Sequence, residues 1–139
     1  MENCNHIEQA KHNEKVCNFL NQKQDFADWI ITTAFYSALH YVCSIMIPYT
    51  ELTTFSNIDS LFINYRRDGE GRHGFQCRWV SEKFPEIQFE YKRLHELSKN
   101  ARYFDYKYDR GDSELARKYL EKIKSFCMKN ALFSQKESI

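Results

Sequence analysis

With 139 residues and a mass of 16.8 kDa, the chain is expected to form one domain spanning 1–139, large enough to bury a core without disulfides or metals. Apolar residues make up 42%, mean hydropathy is −0.68, and no run of about 18 uncharged apolar residues occurs, which argues against a membrane span. Four Gly and two Pro are too few for the turns of an all-β sandwich, so the expectation is an all-α globule. The net charge of +1 hides an asymmetry: residues 1–64 carry three basic and seven acidic side chains, whereas 65–139 carry seventeen and twelve. The positive half permits an acidic partner, although mixed signs of this kind commonly form a solvated face. Five Cys, an odd number, include no CxxC pair, and no apolar segment follows Met1, so the expectation is a reduced, cytoplasmic protein.

The 3.6-residue period divides the chain into five main segments. The first, about 4–22, is polar with a thin apolar stripe of Ile7, Ala10, Cys17 and Leu20, suited to the edge of a bundle. The second, about 24–47, is apolar almost all round, with Ala27, Ile31, Ala34, Ala38, Tyr41 and Ile45 in one stripe and Ile30, Phe35, Leu39, Val42 and Met46 beside it. Such a helix belongs at the centre of a bundle, and Pro48 is expected to stop it. Residues 48–71 read as the longest irregular stretch, interrupted by a short helix around Ile58–Tyr65. A third main helix is expected from His73 to about Lys83, where Phe84-Pro85 forces a break. Pro85 opens a fourth with Ile87, Tyr91, Leu94, Ser98 and Ala101 on one stripe. Asp112 or Ser113 is the expected cap of a last helix with Ala116, Tyr119, Leu120, Ile123 and Phe126 facing inward, and the tail from about 131 is expected to fray.

Polar groups on otherwise apolar faces are the places to look for chemistry. Thr33, Tyr36 and His40 lie along one side of the second segment, with Tyr36 and His40 a turn apart. Buried polar atoms need partners, and Tyr91, His95, Ser98 and Arg102 supply a complementary stripe on the fourth helix. Arg102 falls at a helix end, where its cation is favoured and can meet phosphate or carboxylate, or cap the last carbonyls. His73 opens the third helix beside Arg72, a setting that suits an anion, and Arg66, Arg67, Arg72 and Arg78 make this the most Arg-rich window. Cys77 follows His73 by four residues, but no second pair of soft ligands is near, so no metal and no cofactor are expected. Glu70 and His73 form a single ExxH, and a di-iron bundle would need two on helices. Gly-rich phosphate loops, GxSxG and HExxH are absent from the sequence.

The order of these pieces resembles a known family. Phe35-Tyr36-Ser37-Ala38-Leu39-His40 on an early helix, then His73 with Arg78, then Tyr91-Lys92-Arg93-Leu94 and Ser98-Lys99-Asn100-Ala101-Arg102-Tyr103 on a later one, is similar to the HEPN (higher eukaryotes and prokaryotes nucleotide-binding) domains, above all the small stand-alone prokaryotic ones. The likeness spans about 20–130. It implies an up-and-down bundle of four to five helices, a homodimer, and a place in RNA metabolism: a toxin–antitoxin or defence system, with an antitoxin or effector protein as a further partner and no membrane. Active members are metal-independent endoribonucleases that use an Arg, four to six intervening residues and then a His, across the dimer seam. The Arg polarises the phosphate and the His moves a proton. This chain departs from that motif, since Tyr106, Lys107 and Tyr108 stand where the His would follow Arg102. Arg66 and Arg67 meet the spacing to His73, but not on the late helix.

Two readings follow. In the first the protein acts on RNA, with Arg102 as electrophile, His73 or His40 as acid/base, and Arg78, Tyr103, Tyr36, Ser98 and Tyr91 as binding residues around them. It is then either an endoribonuclease or a degenerate relative of one. In the second it is a noncatalytic helical dimer module that binds a nucleotide or a partner protein, with the same side chains forming an internal hydrogen-bond network.

Overall fold

The computed structural model describes residues 2–23, 25–49, 58–103 and 107–137, with side chains described for 6–23, 25–46, 58–103 and 107–130. These residues form six α-helices and one 3₁₀ turn: α1 (Glu2–Lys23), α2 (Ala27–Tyr49), α3 (Ile58–Tyr65), α4 (Arg72–Lys83), the 3₁₀ turn Pro85–Ile87, α5 (Gln88–Tyr103) and α6 (Arg110–Glu137). No strand occurs among the described residues. These are the five main segments and the short helix that the periodicity predicts, one more than the four to five helices that the resemblance implies, with the short α3 and α4 added to a four-helix frame.

Side-chain pairings across the interfaces give the topology. His6, Ala10 and Cys17 of α1 meet His40, Ser37 and Ile30 of α2, so the two run antiparallel. Glu14 and Asn18 of α1 take Lys124 and Arg117 of α6, again antiparallel. Phe84 meets Phe126, and Phe89 of α5 meets Tyr119, which sets α5 antiparallel to α6. The frame α1–α2–α5–α6 is therefore an up-and-down bundle.

α2 is its central rod. Ile31, Ala34, Phe35, Ser37, Ala38, Tyr41, Val42 and Met46 are all fully buried, and the small side chains at 34, 37 and 38 let neighbouring helices approach closely. Ser37 donates to the Ala10 carbonyl at 2.8 Å and Tyr41 donates to Glu14 Oε1 at 2.7 Å, so the buried hydroxyls of this interface are bonded. By length and hydropathy alone, Ala27–Met46 would suffice to cross a membrane, with Asp28 its one charged residue. Of that window 72% is buried inside the bundle, which is where the apolar surface of a central helix goes.

Several boundaries differ from those the sequence predicts. Pro48 predicts a stop, and the helix closes at Tyr49, still within that turn. Pro85 begins a 3₁₀ turn rather than an α-helix, and the Phe84 N–H, bonded to the Val80 carbonyl at 2.8 Å, closes α4 just before it. The cap of α6 is neither Asp112 nor Ser113. Asp109 Oδ1 accepts from the Asp112 N–H at 2.9 Å, while Asp112 Oδ2 accepts from the Asp109 N–H at 3.2 Å, a reciprocal capping box with Asp109 as the cap. Ser113 instead donates back to the Arg110 carbonyl. Helix α6 runs to Glu137.

A turn brings the chain into α4. The Glu70 N–H bonds to the Arg67 carbonyl at 3.0 Å, and Gly69 takes φ 78°, a left-handed conformation that favours glycine. The turn aims the Glu70 carboxylate at Arg78, which it binds at 3.0 Å through both Nε and Nη2. Arg78 holds the Glu70 carboxyl below its usual range. Arg72 pairs with Asp59, and Arg67 lies 3.7 Å from Glu82. Three of the four arginines in the Arg-rich window are thus paired with carboxylates, and Arg66 rests on the Phe62 ring.

Candidate functional site

Phe35 of α2 is the floor of the site. It is fully buried, and five groups from three helices surround its ring: Tyr36 at 5.4 Å, His73 at 5.5 Å, His95 at 5.2 Å, Tyr91 at 6.0 Å and the Arg102 guanidinium at 5.9 Å. The stripe that the sequence predicts on the fourth helix is present on α5: Tyr91, His95, Ser98 and Arg102 step along one side of it toward α2. His73 joins them from the first turn of α4.

Arg102 is held in place by its neighbours. Nη1 donates to the Tyr36 hydroxyl at 2.5 Å, Nε donates to the Ser98 carbonyl at 3.3 Å, and the Tyr36 and Tyr103 rings flank the guanidinium at 5.2 and 5.1 Å. A guanidinium carries five N–H donors, so two such tethers orient it without exhausting it. Tyr103 is 69% exposed, and Arg102 itself is half-buried, so the cation sits at the mouth of the cluster rather than within the core.

The two imidazoles lie side by side, ring centres 5.5 Å apart. Burial pushes His73 below its ordinary titration range, and the Arg102 charge pushes it further. His95 is lowered by burial, then by His73, Arg102 and Lys99, with Glu96 opposing. Both rings are therefore biased toward the neutral form, and one cation, Arg102, acts on both. His95 also faces Cys77 Sγ at 3.4 Å from Nδ1, and burial raises that thiol to about 11.

The remaining sequence candidates lie around this cluster in different ways. Ser98 contributes its carbonyl, while its buried Oγ has no hydrogen-bond partner among the described residues. Tyr91 is also buried with an unpartnered hydroxyl, and burial raises its pKa, so it serves as core beneath Phe35. Arg78 points to Glu70 and the Tyr65 carbonyl and lines a second cavity of about 440 Å³ together with Lys92, His95 and Lys99. His40 does not contact Arg102. It stacks on His6 of α1 at 5.2 Å, with the two Nδ1 atoms 3.0 Å apart, and burial followed by His6 lowers it to about 4. His40, Tyr36 and His73 together line a cavity of about 480 Å³. The positions after Arg102 where the Arg-x-His motif would place its His include Tyr106, which lies outside the described residues; Lys107 and Tyr108 precede α6.

His95 is the residue that sequence reasoning placed on the stripe without a role. The signal was its step of seven from Arg102, but only the approach of α4 makes it the second of two imidazoles. No group of three or more His, Cys, Asp or Glu side chains able to hold a metal occurs among the described residues. Comparison with protein families, curated proteins and solved structures gave no match to this chain.

Proposed function

We propose that this is a HEPN-like protein that acts on RNA as a homodimer, and that Arg102, His73 and His95 cleave a phosphodiester by transesterification. The observation that carries the reading is the convergence of one tethered guanidinium and two imidazoles on the Phe35–Tyr36 shelf. Arg102 binds the non-bridging phosphate oxygens, where it neutralises charge that builds in the transition state. One imidazole accepts the proton of the ribose 2′-hydroxyl as its oxygen bonds to phosphorus. The other gives a proton to the departing 5′-oxygen as the P–O5′ bond breaks. The products are a 2′,3′-cyclic phosphate and a 5′-hydroxyl, with atoms and charge balanced.

The depressed imidazoles suit this chemistry with a defined pH signature. Neutral His is the base, but the acid must be protonated, so the rate is greatest on the acidic side of the ordinary imidazole pKa near 6.5. The test is incubation of purified protein with total RNA in EDTA over a pH series, beside Arg102→Ala, His73→Ala and His95→Ala, each checked for helical content. The expected result is cyclic-phosphate products from the wild type and a loss of about 100-fold or more in each variant. Absence of cleavage by the wild type, or cleavage untouched by the three substitutions, overturns the reading.

The bond from Arg102 to Tyr36 favours a second reading, in which the cluster is an internal network that fixes α5 on α2. Under that reading Tyr36→Phe and Arg102→Ala lower the unfolding temperature by similar amounts, and the wild type leaves RNA intact.

A further inference from the structure

The cavity of about 480 Å³, lined by residues of α1, α2, α3 and α4 and open to solvent, shares two residues with the Arg102 cluster: Tyr36, whose hydroxyl holds the guanidinium, and His73, whose ring abuts Phe35. Its volume falls within the range of small-molecule sites. Half of its described lining residues carry flat rings. The His6–His40 pair is stacked within 27° of parallel on one side, and Phe62 meets Phe75 edge to face at 5.5 Å on another. Planar aromatic ligands are held by such rings, because every nucleobase offers a π-face whatever its hydrogen-bonding edge. His40 stays neutral at pH 7, so its own ring presents no charge there. Gln76, the amide in the wall, is already committed: its Nε2 donates to the Leu39 carbonyl at 3.0 Å and its Oε1 accepts from Cys43 Sγ at 3.6 Å. Asp59 and Arg72, the charged residues in the wall, pair with each other, so the cavity recognises a flat surface more than a particular pattern of donors and acceptors.

We infer that this cavity is a nucleobase subsite, which takes the base of the nucleotide whose phosphate lies at Arg102 and His73. The inference rests on the proposed reading for its orientation, but the cavity can be tested without cleavage. A base stacked inside a duplex cannot reach into a cleft between helices, so the subsite also demands an unpaired nucleotide.

Adenosine, which has no phosphate, isolates the cavity from Arg102. Its addition at millimolar concentration is followed through the ring-proton resonances of the histidines. Saturable shifts at His40 and His73 are expected with adenosine, whereas ribose 5-phosphate shifts His73 and leaves His40 in place. Arg102→Ala retains the adenosine response. Leu39→Trp and Ile58→Trp, which fill the cavity from α2 and α3, weaken it at least tenfold and lower kcat/KM on RNA by a similar factor. Two filling positions are used so that a folding defect in one, read from its helical content, leaves the other as the test. An unmoved His40 resonance in the wild type, or undiminished adenosine binding by a folded filling variant, overturns the subsite. Adenosine binding by a wild type that does not cut RNA supports the subsite and overturns cleavage, so the two failures are distinguishable.

Discussion

Arg102 shows what a single side chain can and cannot declare from its place in the sequence. Its spacing from Tyr91, His95 and Ser98 puts all four on one side of a helix, and this was legible from the 3.6-residue period alone. Tyr36 and His73 are candidates beside it in the sequence, but Tyr36 lies 66 residues earlier and His73 on another helix, so the period does not show that they meet it and the structure does. His40 makes the same point in reverse. One turn from Tyr36, it reads as a member of the same group, yet its ring faces His6 and the cavity. That environment gives a prediction. An unfolded His40 takes a proton near pH 6.5, whereas the folded chain resists until about pH 4 because of burial and of His6. The contribution to stability is complete above pH 6.5 and is lost as the pH falls toward 4. His6 on α1, Asp59 of α3 and Arg72 of α4 also face this cavity, so the whole protein will not follow His40 alone. His40→Phe retains a flat ring that cannot be protonated. Its unfolding temperature should therefore decline less steeply than that of the wild type between pH 6.5 and 4, as read by thermal denaturation monitored by circular dichroism.

At the scale of the element, periodicity located the helices and capping chemistry refined their ends. The short helix expected around Ile58–Tyr65 is α3 over those residues, and the break forced by Phe84-Pro85 separates α4 from the turn before α5. The cap expected at Asp112 or Ser113 falls instead on Asp109, because Asp and Ser at all three positions can cap a helix. Reciprocal bonding between Asp109 and Asp112 decides among them, because each side chain then satisfies a backbone N–H that the helix leaves open. Asp109→Ala should destabilise the protein by about 1 kcal/mol, measured by urea unfolding, and Ser113→Ala by less. An Asp109→Ala variant as stable as the wild type would show that the box adds nothing beyond solvation of those amides.

For the whole molecule the decisive feature is α2, whose apolar surface is covered by α1, α5 and α6 together. Ala38 is fully buried there, so Ala38→Leu inserts volume where no space exists and should cost about 1–3 kcal/mol in urea unfolding. A neutral result would mean that the helices around α2 can move apart at little cost. Charge, too, is settled at this scale. The arginines at 67, 72 and 78 look like an anion-binding patch in sequence, but Glu82, Asp59 and Glu70 pair with them, whereas Arg102 acts on both imidazoles and Lys99 on His95. By itself the sequence determined the all-helical class, the central helix and the polar stripe of α5, because these depend on spacing within one segment. Only the tertiary structure decided which histidines stand beside Arg102, which arginines are neutralised, and that a ring-lined cavity adjoins the cluster. Those depend on how α3 packs on α2 and how α4 packs against α2 and α5, and contacts between segments distant in the chain leave no periodic trace in any one of them.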